Sequence, residues 1–149
     1  MADSTLANLT PSAGISGTDL LYVDDGTTDR KATAQQFRSY FANGAVVALL
    51  DGATPALDAS LGTTFILSAA GDRTIAIPTN PTSGQKIIIQ HFASGGARTL
   101  SLNTGIGGFR FGSDITALSA TASGKTDYIG AIYNAADSRW DVVAYSKGY

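Results

Sequence analysis

The chain of 149 residues contains no cysteine and no glutamate, and it has a single histidine. Without cysteine it cannot form disulfides, thiolate nucleophiles or cysteine-ligated zinc sites. Because all 12 acidic residues are aspartate, the chain lacks a side chain favoured in helices and is rich in one favoured in turns and caps. With 17 glycines as well, this composition predicts short strands and tight turns rather than long helices.

Charge and long apolar runs are also scarce. The formal net charge is -2, and without a basic excess we expect no nucleic-acid partner. The longest apolar run, Ala45 to Leu50, is far shorter than the roughly 20 residues that span a bilayer, so we expect no membrane segment. Met1 to Ser4 lack the basic and apolar stretches of a secretory signal, which indicates assembly in the cytoplasm.

The first part of the chain is predicted to be an extended arm. Residues 2–17 are mostly small or polar, and their spaced apolar residues are Leu6, Leu9 and Ile15. Such a segment buries too little surface to order itself. We therefore expect a partner surface to hold it.

A hairpin and a helix are predicted next. Asp19–Val23 and Arg30–Thr33 are strand candidates, and the Asp-Gly pair between them is a strong turn signal. Thr33 and Gln36 have the spacing of a helix capping box. The helix should cover Ala34 to Asn43, with an apolar stripe formed by Phe37, Tyr40 and Phe41.

A domain boundary is expected where glycine and proline follow, in Asp51–Pro55. The preceding run, Ala45 to Leu50, either extends the helix or acts as a buried connector. We therefore expect an N-terminal region over residues 1–52 and a second domain over residues 53–149.

The second domain alternates short β segments with turns, which favours an antiparallel β-sandwich or jelly-roll-like fold over βαβ units. The predicted fold class is thus mainly β, with this domain preceded by the arm, the small β-hairpin and one short α-helix. Ile87 to Ile89 are apolar on both strand faces, which suits a strand covered on each side by the core or by a neighbouring subunit. The strand candidates are Thr64–Ser68, Arg73–Ile77, Gln85–Phe92, Arg98–Asn103, Phe109–Phe111, Thr116–Thr121, Asp127–Tyr133 and Trp140–Tyr145.

Residues with catalytic or ligating chemistry are few. His91 is expected to be a hydrogen-bonded side chain at a strand end or subunit contact, although three symmetry-related copies could form an axial metal site. The aspartates at 24, 25 and 29 suit a turn, because their spacing does not match a calcium loop. Gly105 to Gly108 lack the following helix that a phosphate-binding loop requires. We therefore predict no catalytic, cofactor-binding or metal-binding residues, no cofactor and no enzymatic activity.

Aromatic residues cluster in the second domain and permit two interpretations. They could form a sugar-binding face, but such residues are more often core and cross-strand pairs, as we expect for Trp140. The set comprises Phe109, Phe111, Tyr128, Tyr133, Trp140 and Tyr145.

Two segments resemble modules of tailed-bacteriophage virion proteins. GTDLLYVDDGTTDRKATAQQF, residues 17–37, resembles the N-terminal attachment segment of phage fibres and spikes. Residues 64–149, which contain TIAIPTNPTSGQKIIIQHFASGGARTLSLN, then FRFG and TDYIGAIYNAADSRWDVVAYSKGY, are similar to the C-terminal sandwich of phage fibres and small capsid-associated proteins. Fibres carry a long shaft between such modules, whereas only residues 38–63 separate them here, which favours a squat trimer over a rod.

The resemblance implies a homotrimer located in the virion and bound to a phage major capsid protein or a tail or baseplate protein. Its leading interpretation is a capsid decoration (cement) protein. The trimer interface would include Ile87, Ile88, Ile89 and His91. The virion-anchoring residues would be Leu6, Leu9, Ile15, Leu20, Leu21, Tyr22, Phe37, Tyr40 and Phe41.

Two other functions stay open at this point. A short tail fibre or spike would recognise a host surface glycan through its distal loops. A lyase or hydrolase of surface polysaccharide is less well supported, because paired-carboxylate catalysis usually draws on glutamate as well as aspartate.

Overall fold

The computed structural model describes residues 20–24, 29–33 and 44–149. The chain divides into two compact units, Met1–Asn43 and Gly44–Tyr149. The predicted arm and the predicted helix over Ala34 to Asn43 lie outside the described residues. In the first unit, β1 (Leu20–Asp24) and β2 (Asp29–Thr33) pair antiparallel, with Leu20 opposite Thr33. The hairpin prediction is therefore confirmed.

The regular secondary structure of the second unit is almost entirely β-strand, which confirms the mainly β class. A single 3-10 turn, Ala59–Leu61, follows β3 along the chain, and the Asp58 side chain caps it by accepting from the Ser60 N–H at 3.0 Å. The strands are β3 (Val46–Ala48), β4 (Thr64–Ala69), β5 (Arg73–Ile75), β6 (Lys86–Ala93), β7 (Leu100–Leu102), β8 (Phe109–Arg110), β9 (Thr126–Asn134) and β10 (Arg139–Ser146).

The main sheet has six strands in the order β3-β4-β6-β9-β10-β8, and β5 pairs with β7 in a separate two-stranded sheet. Pairing in the main sheet is mixed, which corrects the antiparallel arrangement expected above. β3, β4 and β6 run parallel, β9 is antiparallel to both β6 and β10, and β8 is parallel to β10. Side-chain alternation determines which face of a strand is buried, but it carries no information on the direction of the neighbouring strand.

The connections between the parallel strands build the second layer of the domain. Residues 53–59 and 74–79 run side by side, with hydrogen bonds from Thr74 N to Ala53 O and from Thr79 N to Leu57 O. β5 in turn pairs parallel with β7. The long crossover connections that parallel strands require thus form the second layer of the domain.

Two sequence expectations differ from the structure in detail. Thr116–Thr121 forms no strand, and Thr121 makes an isolated bridge with Arg98. Residues 46–48 form β3 and pair with β4, so they belong to the second unit rather than to a helix. The unit boundary consequently lies between Asn43 and Gly44, earlier than the boundary expected after Gly52.

The core lies between the two layers and follows the alternation of the strands. In β4, β6 and β9 the buried residues occupy every second position, as in Phe65, Leu67 and Ala69. Trp140 is fully buried and packs beside Tyr133 of the paired strand, with ring centroids 5.2 Å apart. Each large apolar side chain buried here contributes about 1.5–3 kcal/mol relative to exposure. The second layer contributes Leu57, Ile75, Leu100 and Leu102.

Candidate interaction surface

The face of the six-stranded sheet that points away from the core carries several exposed or partly exposed apolar side chains. We call it the outer face. Its residues alternate with the buried ones and line up across strands, as in the row Ile66, Gln90 and Tyr128. A second row joins Thr64, Ile88 and Gly130. These rows place uncharged side chains over the centre of the sheet.

Several outer-face side chains are well exposed for apolar residues. Val46 is 62% exposed, Ile88 45%, and Ile66 and Phe92 36% each. Tyr128 and Ile132 are partly exposed beside them. Scattered apolar residues are normal on a protein surface, but a contiguous apolar sheet face commonly marks an interaction site.

Charged residues are confined to one end of the outer face. Arg110 donates to both carboxylate oxygens of Asp141 at 2.7 and 3.0 Å, and it also contacts Asp137 at 2.9 Å. The hydrogen bond from Arg110 lowers the pKa of Asp141, and the two aspartates raise the pKa of Arg110. Because this cation is already paired, the surface does not offer it as a free charge to an anionic ligand.

The predicted trimer-interface residues divide between the two faces of β6. Ile87, Ile89 and His91 are each at most 1% exposed and lie in the core of the same chain. Ile88 points to the outer face. Only Ile88 of the four has an exposed side chain, so Ile87, Ile89 and His91 are not available for contact with another subunit. Sequence reasoning did not single out Val46, Ile66 and Phe92, the other exposed apolar residues of this face, although the three consecutive isoleucines at 87–89 indicated apolar side chains on both faces of the strand.

His91 belongs to a buried hydrogen-bond chain. Its Nδ1 lies 2.8 Å from the Thr121 hydroxyl, which donates to Asp127 Oδ2 at 2.7 Å. The hydroxyl has one hydrogen, so it must accept from His91, and the imidazole carries its proton on Nδ1. Asp127 also accepts from the Tyr145 hydroxyl at 3.1 Å and from Gly148 N at 2.9 Å. The chain therefore joins β6, β9, β10 and the C-terminal residues.

The environment of His91 favours the neutral imidazole. Burial lowers its pKa, and the negative charges of Asp127 and Asp72 oppose that effect without reversing it. Nε2 is buried and has no hydrogen-bond partner among the described residues. A substrate in solvent has no path to an imidazole that is 1% exposed. The buried hydrogen-bond chain of His91 therefore has a structural role, because it links β6, β9 and β10.

Most of the predicted aromatic residues serve the core. Phe109 and Trp140 are fully buried, and Phe111, Tyr133 and Tyr145 pack against the core cluster. The prediction that Trp140 is a cross-strand core residue is confirmed, since it pairs with Tyr133. Tyr128 alone of the six lies on the outer face, where its ring meets Tyr149 edge-on at 5.3 Å.

The predicted anchoring residues lie mainly outside the described residues, and this applies to Leu6, Leu9, Ile15, Phe37, Tyr40 and Phe41. Leu20, Leu21 and Tyr22 lie on β1. In the part of the chain that the structure describes, no three His, Asp or Glu side chains form a group that could hold a metal ion. None of the described helices has the length and hydropathy needed to cross a membrane.

The chain matches no protein-family model and no curated protein sequence. The resemblance to phage virion proteins thus rests on the sequence motifs alone.

Proposed function

We propose that this protein is a non-enzymatic structural protein of a bacteriophage virion, a homotrimer that decorates and stabilises the capsid shell. The observation that supports the proposal best is the outer face, which carries exposed aliphatic and aromatic side chains and no charge at its centre. Three copies that cover this face with one another would remove Val46, Ile66, Ile88 and Phe92 from water. Burial of apolar area is the main driving force of such association.

The outer face has a suitable size for a subunit interface. Six strands about 4.8 Å apart and two to nine residues long give a sheet face on the order of 600 Å². A stable interface buries about 800 Å² on each partner. Side chains and the adjoining loops would supply the remainder, so this face is large enough to hold the copies together.

The first unit would supply the attachment to the shell. It contains the β1-β2 hairpin and the arm with its spaced apolar residues. Once one subunit of a trimer is bound, the other two are held near their sites at a high effective concentration. Three weak attachments can therefore bind the capsid lattice tightly. The neighbouring subunits of a major capsid protein would be the partner.

Decoration accounts for the structure better than host-glycan recognition by a short fibre or spike. Glycan binding commonly uses exposed aromatic rings, whereas Phe109 and Trp140 are fully buried and Phe111, Tyr133 and Tyr145 are packed against the core. We therefore place the distal recognition function second.

The proposal is tested first on the oligomeric state. Sedimentation velocity of the full chain should give the mass of three copies, and Ile88→Asp should shift the equilibrium at least tenfold towards monomer because it places a charge at the centre of the outer face. Ile106→Asp is the control, since Ile106 is 90% exposed and lies outside that face. A wild-type monomer at micromolar concentration, or an Ile88→Asp trimer as stable as wild type, would contradict the proposal.

The location is tested on the particle. Electron microscopy of the parent phage with this protein labelled should show the label on the head. A label on the tail would support the fibre alternative, and a particle without the protein would refute a virion function of either kind.

A further inference from the structure

Tyr149 is an exposed aromatic residue that lies just beyond the last strand, β10. Its backbone exchanges two hydrogen bonds with that of Thr126 on β9, at 3.0 and 3.1 Å. Its side chain contributes to a residue exposure of 66%, and its ring meets that of Tyr128 edge-on. Because Thr126 and Tyr128 belong to the outer face, Tyr149 extends that face by one further row.

A β-bulge in the chain before Tyr149 determines the direction of its side chain. β10 ends with Ser146 opposite Tyr128. Two residues then separate Ser146 from Tyr149, whereas the single residue Asp127 separates their partners on β9. Two residues on one strand opposite one on its neighbour form a bulge. Without the additional residue, strand alternation would direct Tyr149 to the core side of the sheet, so the bulge places it on the outer face.

Gly148 and Asp127 hold this bulge in place. Gly148 has a φ of 80°, a conformation that costs free energy in residues with a Cβ atom. Its amide donates to the Asp127 carboxylate at 2.9 Å. Asp127 is 1% exposed and also accepts from Thr121 and Tyr145, which fixes the carboxylate within the core. A buried group therefore determines the position of Tyr149.

The row that Tyr149 adds lies at the uncharged end of the outer face, beside Phe92 of β6 and Thr126. The formal charges of the face lie in the row at its opposite end, which comprises Lys86, Ile132, Asp141 and Arg110. Another copy of the chain can therefore cover the aromatic end without burying a charge, which would otherwise oppose association.

The Tyr149 ring has the properties of an interface anchor. Tyrosine is enriched among the residues that contribute most of the binding free energy, because it buries a large area with few rotatable bonds. The ring is held at two points, with its centroid 5.3 Å from that of Tyr128 and its hydroxyl 2.8 Å from the Ser146 hydroxyl. A ring that is already held loses less conformational entropy on binding.

We propose that Tyr149 is the principal anchor of the interface between copies of this chain, and that Asp127 is its positioning residue. This inference rests on the proposed homotrimer and identifies the part of the outer face that holds the copies together. In a threefold ring each contact joins two different patches. The Tyr149 ring of one copy would pack on the aliphatic centre of the next, where Ile66 is 36% exposed and Ile88 45%.

Sedimentation velocity of the full chain over a dilution series measures the strength of the anchor. Tyr149→Ser should raise the concentration at which half of the protein is trimeric at least tenfold, because it removes the ring. Tyr149→Phe keeps the ring and should stay within threefold of the wild type. Ile106→Ser is the control and should also stay within threefold, since Ile106 is 90% exposed in the loop between β7 and β8.

Gly148→Ala tests the positioning by the bulge. A Cβ atom added at Gly148 meets no atom within 4 Å, so its effect comes from the positive φ and not from a clash. We expect the midpoint concentration to rise at least fivefold and amide exchange of Tyr149, which donates to Thr126 O, to become faster. Gly84→Ala is the matched control, because Gly84 has a φ of 74° and equally open space but lies before β6, next to the charged row.

The outcomes separate this inference from the proposed function. A wild-type trimer that Tyr149→Ser weakens no more than Ile106→Ser does would overturn the anchor and leave the homotrimer standing. Equal effects of Gly148→Ala and Gly84→Ala would overturn the positioning by the bulge. A wild-type chain that stays monomeric at micromolar concentration would overturn the homotrimer and the anchor together.

Discussion

At the scale of single residues, His91 shows how a side chain with catalytic chemistry is used for structure. The Thr121 hydroxyl accepts from its Nδ1 and donates to Asp127. The neutral imidazole can make this hydrogen bond with its proton on Nδ1. Burial lowers the pKa of His91 and so favours the neutral form. A protonated ring would place a charge in the core, which costs free energy unless it is paired.

The stability of the protein should therefore fall on mild acidification. The pKa of His91 is lower in the folded state than the ordinary value of about 6.5, so the unfolded chain binds a proton first as the pH drops. The contribution of the neutral His91 to the free energy of unfolding is present above about pH 6.5 and is lost progressively as the pH falls below that value. Urea unfolding at pH 7.5 and pH 5.5 should give the lower free energy of unfolding at pH 5.5.

His91→Asn is the matched variant, because its amide can still donate to Thr121 but does not titrate. Its free energy of unfolding should change less between the two pH values than that of the wild type. Asp51 should not contribute over this range, since its hydrogen bond to Arg73 holds its pKa at about 2. An equal pH dependence in both proteins would show that His91 does not cause it.

At the scale of structural elements, Thr121 attaches an irregular segment to the sheet. Residues 112–125 contain no regular strand, yet the Thr121 side chain links β6 to β9 inside the core. Its backbone also exchanges hydrogen bonds with Arg98. One buried hydroxyl thus holds together elements that are distant along the chain.

Thr121→Val keeps the shape of the side chain but removes the hydroxyl. His91 Nδ1 and Asp127 Oδ2 then lose a buried partner, which should lower the free energy of unfolding by about 1–3 kcal/mol. Thr126→Val on the outer face is the control and should change stability by less than about 0.5 kcal/mol. Chemical denaturation of both variants measures the difference, and equal stability would contradict the assigned role.

At the scale of the whole molecule, the chain divides into two compact units to which we propose separate roles. The core cluster of the second unit is formed by residues between Leu57 and Val142. A chain that begins at Gly44 retains all of them, together with β3. We therefore expect the second unit to fold without the first.

A chain truncated to residues 44–149 should unfold cooperatively, with the near-ultraviolet circular dichroism of buried Trp140 unchanged. On the proposed division of roles it should also form trimers and fail to bind phage particles in a cosedimentation assay. The full chain is the positive control. Particle binding by the truncated chain would show that the second unit carries the attachment, and loss of cooperative unfolding would show that the two units depend on each other.

The sequence by itself determined the class of the fold and the position of most strands. Alternation in Phe65, Leu67 and Ala69, the aspartate and glycine turns and the lack of glutamate all favour short strands, because these are local preferences of residues and their neighbours. The hairpin of β1 and β2 was predictable for the same reason. The virion function rests on sequence motifs and stays a prediction.

Only the tertiary structure decided how the strands pair and which apolar residues stay exposed. The parallel order of β3, β4 and β6 depends on crossovers through a second layer, which is a non-local choice that alternation cannot encode. Ile87, Ile88 and Ile89 are equally apolar in sequence, yet the sheet buries the first and third and exposes the second. Which of these side chains stays exposed depends on the elements that pack against the other face of the sheet.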